Sequence, residues 1–204
     1  MDIIFNYISI IDKTNYRIKR NIYTLRFNFK RRLIYLAFGA IAFLLAYYGG
    51  ARVDINKEEA KDVKGEFIKK IDGIDQNGIF INNLMIALGM FIPIVGIGLG
   101  IFSGFSTGLV FNALAETSPY LQNVPPLAIL LTPYGIMEVF AYGLAISRSG
   151  MLVYHLVRKK PWREYGIPTI IEIGIIVMVL IAAAVIEWQI IMQFGGPDIT
   201  MPKI

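Results

Sequence analysis

Three glutamates in apolar surroundings are the main candidates for chemistry in this chain. Glu138 closes the stretch Leu130-Leu131-Thr132-Pro133-Tyr134-Gly135-Ile136-Met137-Glu138, while Glu172 and Glu187 lie toward the two ends of the last apolar run. A carboxyl held in hydrocarbon can relay a proton, bind a cation or recognise a polar substrate. Failing that, it has to be paired, hydrogen-bonded, protonated or beside water. Pro133 lacks a backbone donor and is expected to weaken the helix one turn before Glu138, and Gly135 to open space beside it. Asn82, Asn83 and Asn112 offer amides as partners. A protonated Glu138 bonded to an asparagine or to a backbone carbonyl is the least costly arrangement, because no lysine or arginine is expected deep enough to neutralise it. The competing role for this cluster is a polar clamp between helices, worth about 1–2 kcal/mol per interhelical hydrogen bond. Glu172 and Glu187, each about one turn from a helix end, are expected to reach interfacial water.

Other chemistries find few residues to work with. The chain has no cysteine and one histidine, His155, which excludes thiolate chemistry and any multi-histidine metal site built from this chain alone. No metal and no cofactor is expected. No phosphate loop, nucleophile elbow, zinc-protease signature or dinucleotide fingerprint occurs. Nothing in the chain calls for an enzyme.

The elements that must hold these carboxyls are set by composition. Of 204 residues, 55% are hydrophobic and only 17% charged, against about 25% charged in a soluble domain. No charge falls between Arg32 and Arg52 or between Asp75 and Glu116. A bilayer core demands about 20 apolar residues per helix, so the chain reads as an all-α, polytopic membrane protein of about five spans with one outer amphipathic helix. The spans are placed at 33–51, 79–97, 102–115, 127–147 and 168–191. Residues 79–115 would make a single helix of about 55 Å, so two spans and a short turn near Gly98–Ser103 are expected. Gly96, Gly100, Gly104 and Gly108 recur every four residues there, with Asn112 continuing the row. Such spacing lets helix backbones approach closely, within this chain or across a dimer, although part of the row could mark a broken or re-entrant helix.

Charge sets the expected topology. Residues 1–32 form a basic segment with eight Lys/Arg against Asp2 and Asp12, ending in Lys30, Arg31 and Arg32. Within it, Tyr16–Phe29 could form an interfacial helix on anionic lipid or serve as a solvated tail. Arg148 and the cluster Arg158, Lys159, Lys160 and Arg163 mark a second basic flank. Next to apolar spans, such clusters point to the cytoplasmic membrane surface and not to nucleic acid. The segment 52–78 balances six Lys/Arg with seven Asp/Glu and fits the outer side. Val63, Phe67, Ile68 and Ile71 give it helical amphipathicity. The N-terminus is thus expected on the cytoplasmic side of a multi-pass cell-membrane protein, and the tail 192–204 outside.

The stretch Ile79–Ser147 resembles the stage II sporulation protein M family of integral membrane proteins. The resemblance rests on Ile81-Asn82-Asn83 opening a glycine-rich pair of spans and on Gly108-Leu109-Val110-Phe111-Asn112. Its most specific element is a Leu-Pro-His-Gly-hydrophobic-x-Glu motif, matched by Pro133, Gly135, Ile136 and Glu138. Tyr134 replaces the usual histidine, and Thr132 interrupts the leucines; the tyrosine hydroxyl could still donate to Glu138. The resemblance implies a membrane protein acting in a complex, as the namesake does with cell-wall hydrolases during engulfment. The expected role is a non-catalytic scaffold or accessory subunit, contacting lipid and other subunits or copies of itself. Two alternatives are a transport component with a polar path at the Pro133–Glu138 break, and a stabilising subunit of a membrane enzyme whose active site lies in other chains.

Overall fold

A computed structural model describes residues 29–193, leaving the side chain of Arg163 outside the description. The basic segment 1–28, including most of Tyr16–Phe29, and the tail beyond 193 lie outside the described residues. The described chain is all helical: α1 (Phe29–Gly50), α2 (Lys57–Ile71), α3 (Gln76–Gly89), α4 (Val95–Thr117), a 3-10 segment (Pro126–Leu131), α5 (Pro133–Val157) and α6 (Trp162–Gln193). The chain divides into two compact units, residues 1–35 and 36–204. Of the first, only the opening turns of α1 are described. They carry Lys30, Arg31 and Arg32, and their apolar side chains Leu33, Ile34 and Tyr35 are exposed.

Within the second unit, α5 is the central post. Ala141–Ile146 is buried without interruption, the mark of a helix surrounded on all sides. Phe43 of α1, Ala87 of α3, and Ile176 and Leu180 of α6 join Tyr142, Leu144 and Ile146 in one core. A smaller core gathers Tyr47, Ala51 and Phe111, and the Tyr47 hydroxyl donates to the Pro126 carbonyl at 2.8 Å. Helix directions follow from close approaches. Gly104 lies against Phe43 and Gly108 against Tyr47, so α4 runs parallel to α1. Gly100 faces Ile146 and Gly96 faces Ser149, so α5 runs antiparallel to both.

Among the described residues, four helices are long and apolar enough to cross a membrane: Phe29–Gly50, Val95–Thr117, Pro133–Val157 and Glu164–Gln193. Helix α3, with 14 residues, reaches about 21 Å at 1.5 Å per residue, short of a hydrocarbon core of about 30 Å. The turn expected at Gly98–Ser103 lies instead at Met90–Ile94, so the boundaries 79–97 and 102–115 are both corrected. Pro93 has no N–H to continue a helix, and Ile94 stands at φ 70°, a left-handed conformation that a β-branched residue adopts only under constraint. The glycines of α4 mark a packing face, and the helix runs through them unbroken.

The turn is apolar and its exposed residues, Ile92, Ile94 and Val95, carry no charge. Most of its backbone donors are nonetheless satisfied. Phe91 N–H donates to the Leu88 carbonyl, Ile92 N–H to Gly89 and Gly96 N–H to Ile92, while Ser149 of α5 donates its hydroxyl to the Ile92 carbonyl at 2.8 Å. Non-helical backbone is tolerated in a membrane protein only when satisfied in this way. The turn lies level with Ser149, nine residues (about 13 Å of helix) before the basic end of α5 at Arg158.

Candidate functional site

Glu138 is positioned by the start of α5. Thr132 caps that helix, its hydroxyl accepting from Gly135 N–H at 3.1 Å. Pro133 follows as the first helical residue, where its missing donor costs nothing. The expected mid-span weakening at Pro133 is therefore corrected: residues 126–131 form a separate 3-10 segment, the span expected at 127–147 starts at 133, and Glu138 falls in its second turn. The space beside Gly135 is also taken. A Cβ there would come within 2.8 Å of the Ile129 carbonyl and 2.9 Å of the Leu130 Cα, so glycine lets the 3-10 segment fold back onto α5.

Asn83 of α3 donates its amide to Glu138 Oε1 at 2.6 Å, and Asn82 Nδ2 donates to Asn83 Oδ1 at 3.2 Å. This chain of amides ties α3 to α5. Asn112 takes no part, since it donates to the Val53 carbonyl at 2.6 Å and fastens the α1–α2 connection to α4. Nor does Tyr134 supply a hydrogen bond to Glu138, whose partner is Asn83. Glu187 on α6 is half-buried, and its Oε2 is buried without a hydrogen-bond partner. One oxygen of the carboxyl expected to reach interfacial water is therefore enclosed by the bundle.

The glycine row lies wholly against its own chain. Gly96, Gly100, Gly104 and Gly108 are all buried. A Cβ on Gly104 would stand 2.8 Å from the Phe43 carbonyl, and one on Gly108 2.8 Å from Ala51 N. A Cβ on Gly100 would overlap the Ile146 side chain, and one on Gly96 would stand 2.8 Å from Ser149 Oγ. Helix α1 answers with its own glycines: Gly50 abuts the Phe105 carbonyl, and Gly39 abuts Gly143 of α5. These contacts bring α1, α4 and α5 together at backbone distance.

A second polar cluster was not foreseen. Arg148 and Glu172, on α5 and α6, are 3% and 7% exposed. Arg148 Nε donates to Glu172 Oε2 at 2.7 Å, and Nη2 donates to Oε1, giving the fork geometry that makes arginine–carboxylate pairs strong. This corrects the expectation that Arg148 marks the basic flank and that Glu172 reaches water. Arg148 stands ten residues before Arg158, and Glu172 stands ten after the start of α6. That offset was the available signal, because two opposite charges at matching depths of a helical hairpin can meet. The exposed basic flank is confined to Arg158, Lys159 and Lys160, with Lys160 paired to Glu164 at 3.4 Å; the Arg163 side chain lies outside the described residues. His155 stacks on Tyr165 with ring centroids 5.5 Å apart.

Among the described residues, no group of three or more His, Cys, Asp or Glu side chains could hold a metal. No curated protein and no solved structure matches the chain. The model of the family described as stage II sporulation protein M matches residues 32–189, a stretch that takes in the Asn83–Glu138 clamp, the glycine face and the Arg148–Glu172 pair. The chain belongs to the stage II sporulation protein M family of membrane proteins.

Proposed function

We propose that this protein is a non-catalytic scaffold or accessory subunit of a larger membrane complex. The observation that carries the reading is the way the glycine face is used. The chain spends its close-packing surface on its own core, and leaves broad apolar faces outward on α1 (Phe38, Leu45), α4 (Phe102) and α6 (Ile171, Met178). A bundle locked from within is a rigid platform whose outer faces are free for lipid or other subunits. The Asn83–Glu138 bond acts in this reading as a clamp, and the buried Arg148–Glu172 pair as a second one. The N-terminus and the basic end of α5 face the cytoplasm, and the end of α6 faces outward.

A transport reading has one observation of its own: the unpartnered Glu187 Oε2 in the interior. The two readings separate by photo-cross-linking in the native membrane from probes at Phe38, Phe102 and Met178. The scaffold reading expects discrete adducts with other membrane proteins from at least one face. Lipid adducts alone from all three positions would overturn it.

A further inference from the structure

We propose that the cleft between α2 and the end of α4 binds the headgroup of an anionic phospholipid with a hydroxylated headgroup. The cleft is lined by Lys57, Lys61, Lys64, Gly65, Ile68, Glu116 and Thr117 and has a volume of about 480 Å³, within the roughly 300–1,000 Å³ of small-ligand sites. Its charge is a product of helical register. Lys57, Lys61 and Lys64 recur at spacings of four and three, which places them on one face of α2. Glu58, Asp62 and Glu66, one or two residues on from these lysines, form a separate row, and none of them lines the cleft. A segment that is nearly neutral by composition thus presents three ammonium groups to one side.

Among the described residues these lysines make one ion pair, and it is weak. Lys61 lies 3.9 Å from Glu58, with both side chains at least 68% exposed, a geometry of little worth in water. The phosphodiester is the natural counter-charge for the three lysines. Glu116, also in the lining, offsets part of the positive charge and accepts hydrogen bonds, which suits the hydroxyls of a polyol headgroup.

Position favours a lipid over a soluble anion. Glu116 and Thr117 are the last two residues of a helix long and apolar enough to span the membrane, so the cleft opens where α4 leaves the hydrocarbon. Ile68, in the lining, is 47% exposed, and Ile71 one turn on is 37% exposed. An apolar edge beside lysines with long methylene stems is the pattern of a surface that rests on lipid. Helix α2 itself is fastened to the bundle, with Ala60 fully buried and its N-terminus closed by Asn56, which accepts from Glu58 and Glu59 N–H.

The test uses the full chain in nanodiscs of equal phosphatidylglycerol and phosphatidylcholine, with the lipid retained on gentle release counted by native mass spectrometry. Wild type is expected to retain phosphatidylglycerol in preference to phosphatidylcholine. The triple variant Lys57→Gln/Lys61→Gln/Lys64→Gln is expected to weaken that retention about a hundredfold, since each lysine near a lipid surface contributes roughly a fivefold factor. The exposed pair Lys69→Gln/Lys70→Gln, which does not line the cleft, is expected to leave retention unchanged. Equal retention of the two lipids by wild type, or full retention by the triple variant, would overturn the proposal. Displacement of the lipid by glycerol phosphate at millimolar concentration would overturn it in favour of a soluble phosphate ligand.

Discussion

Removing Arg148 alone should cost the protein far more than removing Arg148 and Glu172 together. The Glu172 carboxylate is almost wholly enclosed and takes two charged hydrogen bonds from one guanidinium. Charged hydrogen bonds contribute about 1.5–3 kcal/mol each, so two give roughly 3–6 kcal/mol. That range brackets the 3–5 kcal/mol typical of an uncompensated buried partner. Arg148→Met should therefore lower the free energy of unfolding by about 3–5 kcal/mol, and Glu172→Leu by a similar amount. The double variant Arg148→Met/Glu172→Leu replaces the pair with apolar groups of similar length, and should return to within about 1–2 kcal/mol of wild type. The assay is reversible unfolding in mixed detergent micelles, followed by the helical circular-dichroism signal and analysed as a double-mutant cycle. Single variants that each cost less than about 1 kcal/mol, or an additive double variant, would refute the reasoning.

The glycine contacts predict a sharp positional contrast. Gly108→Leu should destabilise by about 3 kcal/mol, the upper end of ordinary overpacking, because its Cβ meets the backbone of Tyr47 and Ala51. Gly98→Leu, on the same helix with nothing within 4 Å of its Cβ, should be tolerated; equal losses in both unfolding curves would contradict the packing described. At the Asn83–Glu138 clamp, Asn83→Leu should cost about 0.6–2 kcal/mol, and Glu138→Gln, which keeps an acceptor for the Asn83 amide, should cost less than that. A Glu138→Gln protein less stable than Asn83→Leu would show that the carboxyl itself, and not the bond, holds the helices.

The sequence made most helices legible, but it did not reveal their partners. The charge-free run Leu33–Ala51 became α1, and the apolar spacing of Val63, Phe67, Ile68 and Ile71 became α2. The glycine row was visible as a close-packing face, yet its period says nothing of whose backbone it meets. It also drew the expected turn onto itself, when Pro93 a few residues earlier carried the stronger chemical reason to end a helix. Pro133 misled for the opposite reason: proline interrupts a helix interior but begins a helix comfortably, and only the Thr132 cap distinguishes the two. Glu138 and Asn83 were both singled out, because isolated polar residues in apolar runs advertise themselves. The Arg148–Glu172 pair did not, since its members lie 24 residues apart and each has basic or polar neighbours that make a surface position plausible. The lysine face of α2 was hidden by cancellation, because net charge ignores register.

The most direct test of the scaffold account is to recover the chain from its native membrane in mild detergent and identify what stays bound, in stoichiometric terms. The account predicts a fixed set of other membrane subunits at constant ratio to this chain, retained in Glu138→Gln. A chain recovered alone, or only with copies of itself, would contradict the account and turn attention to transport through the interior around Glu138 and Glu187.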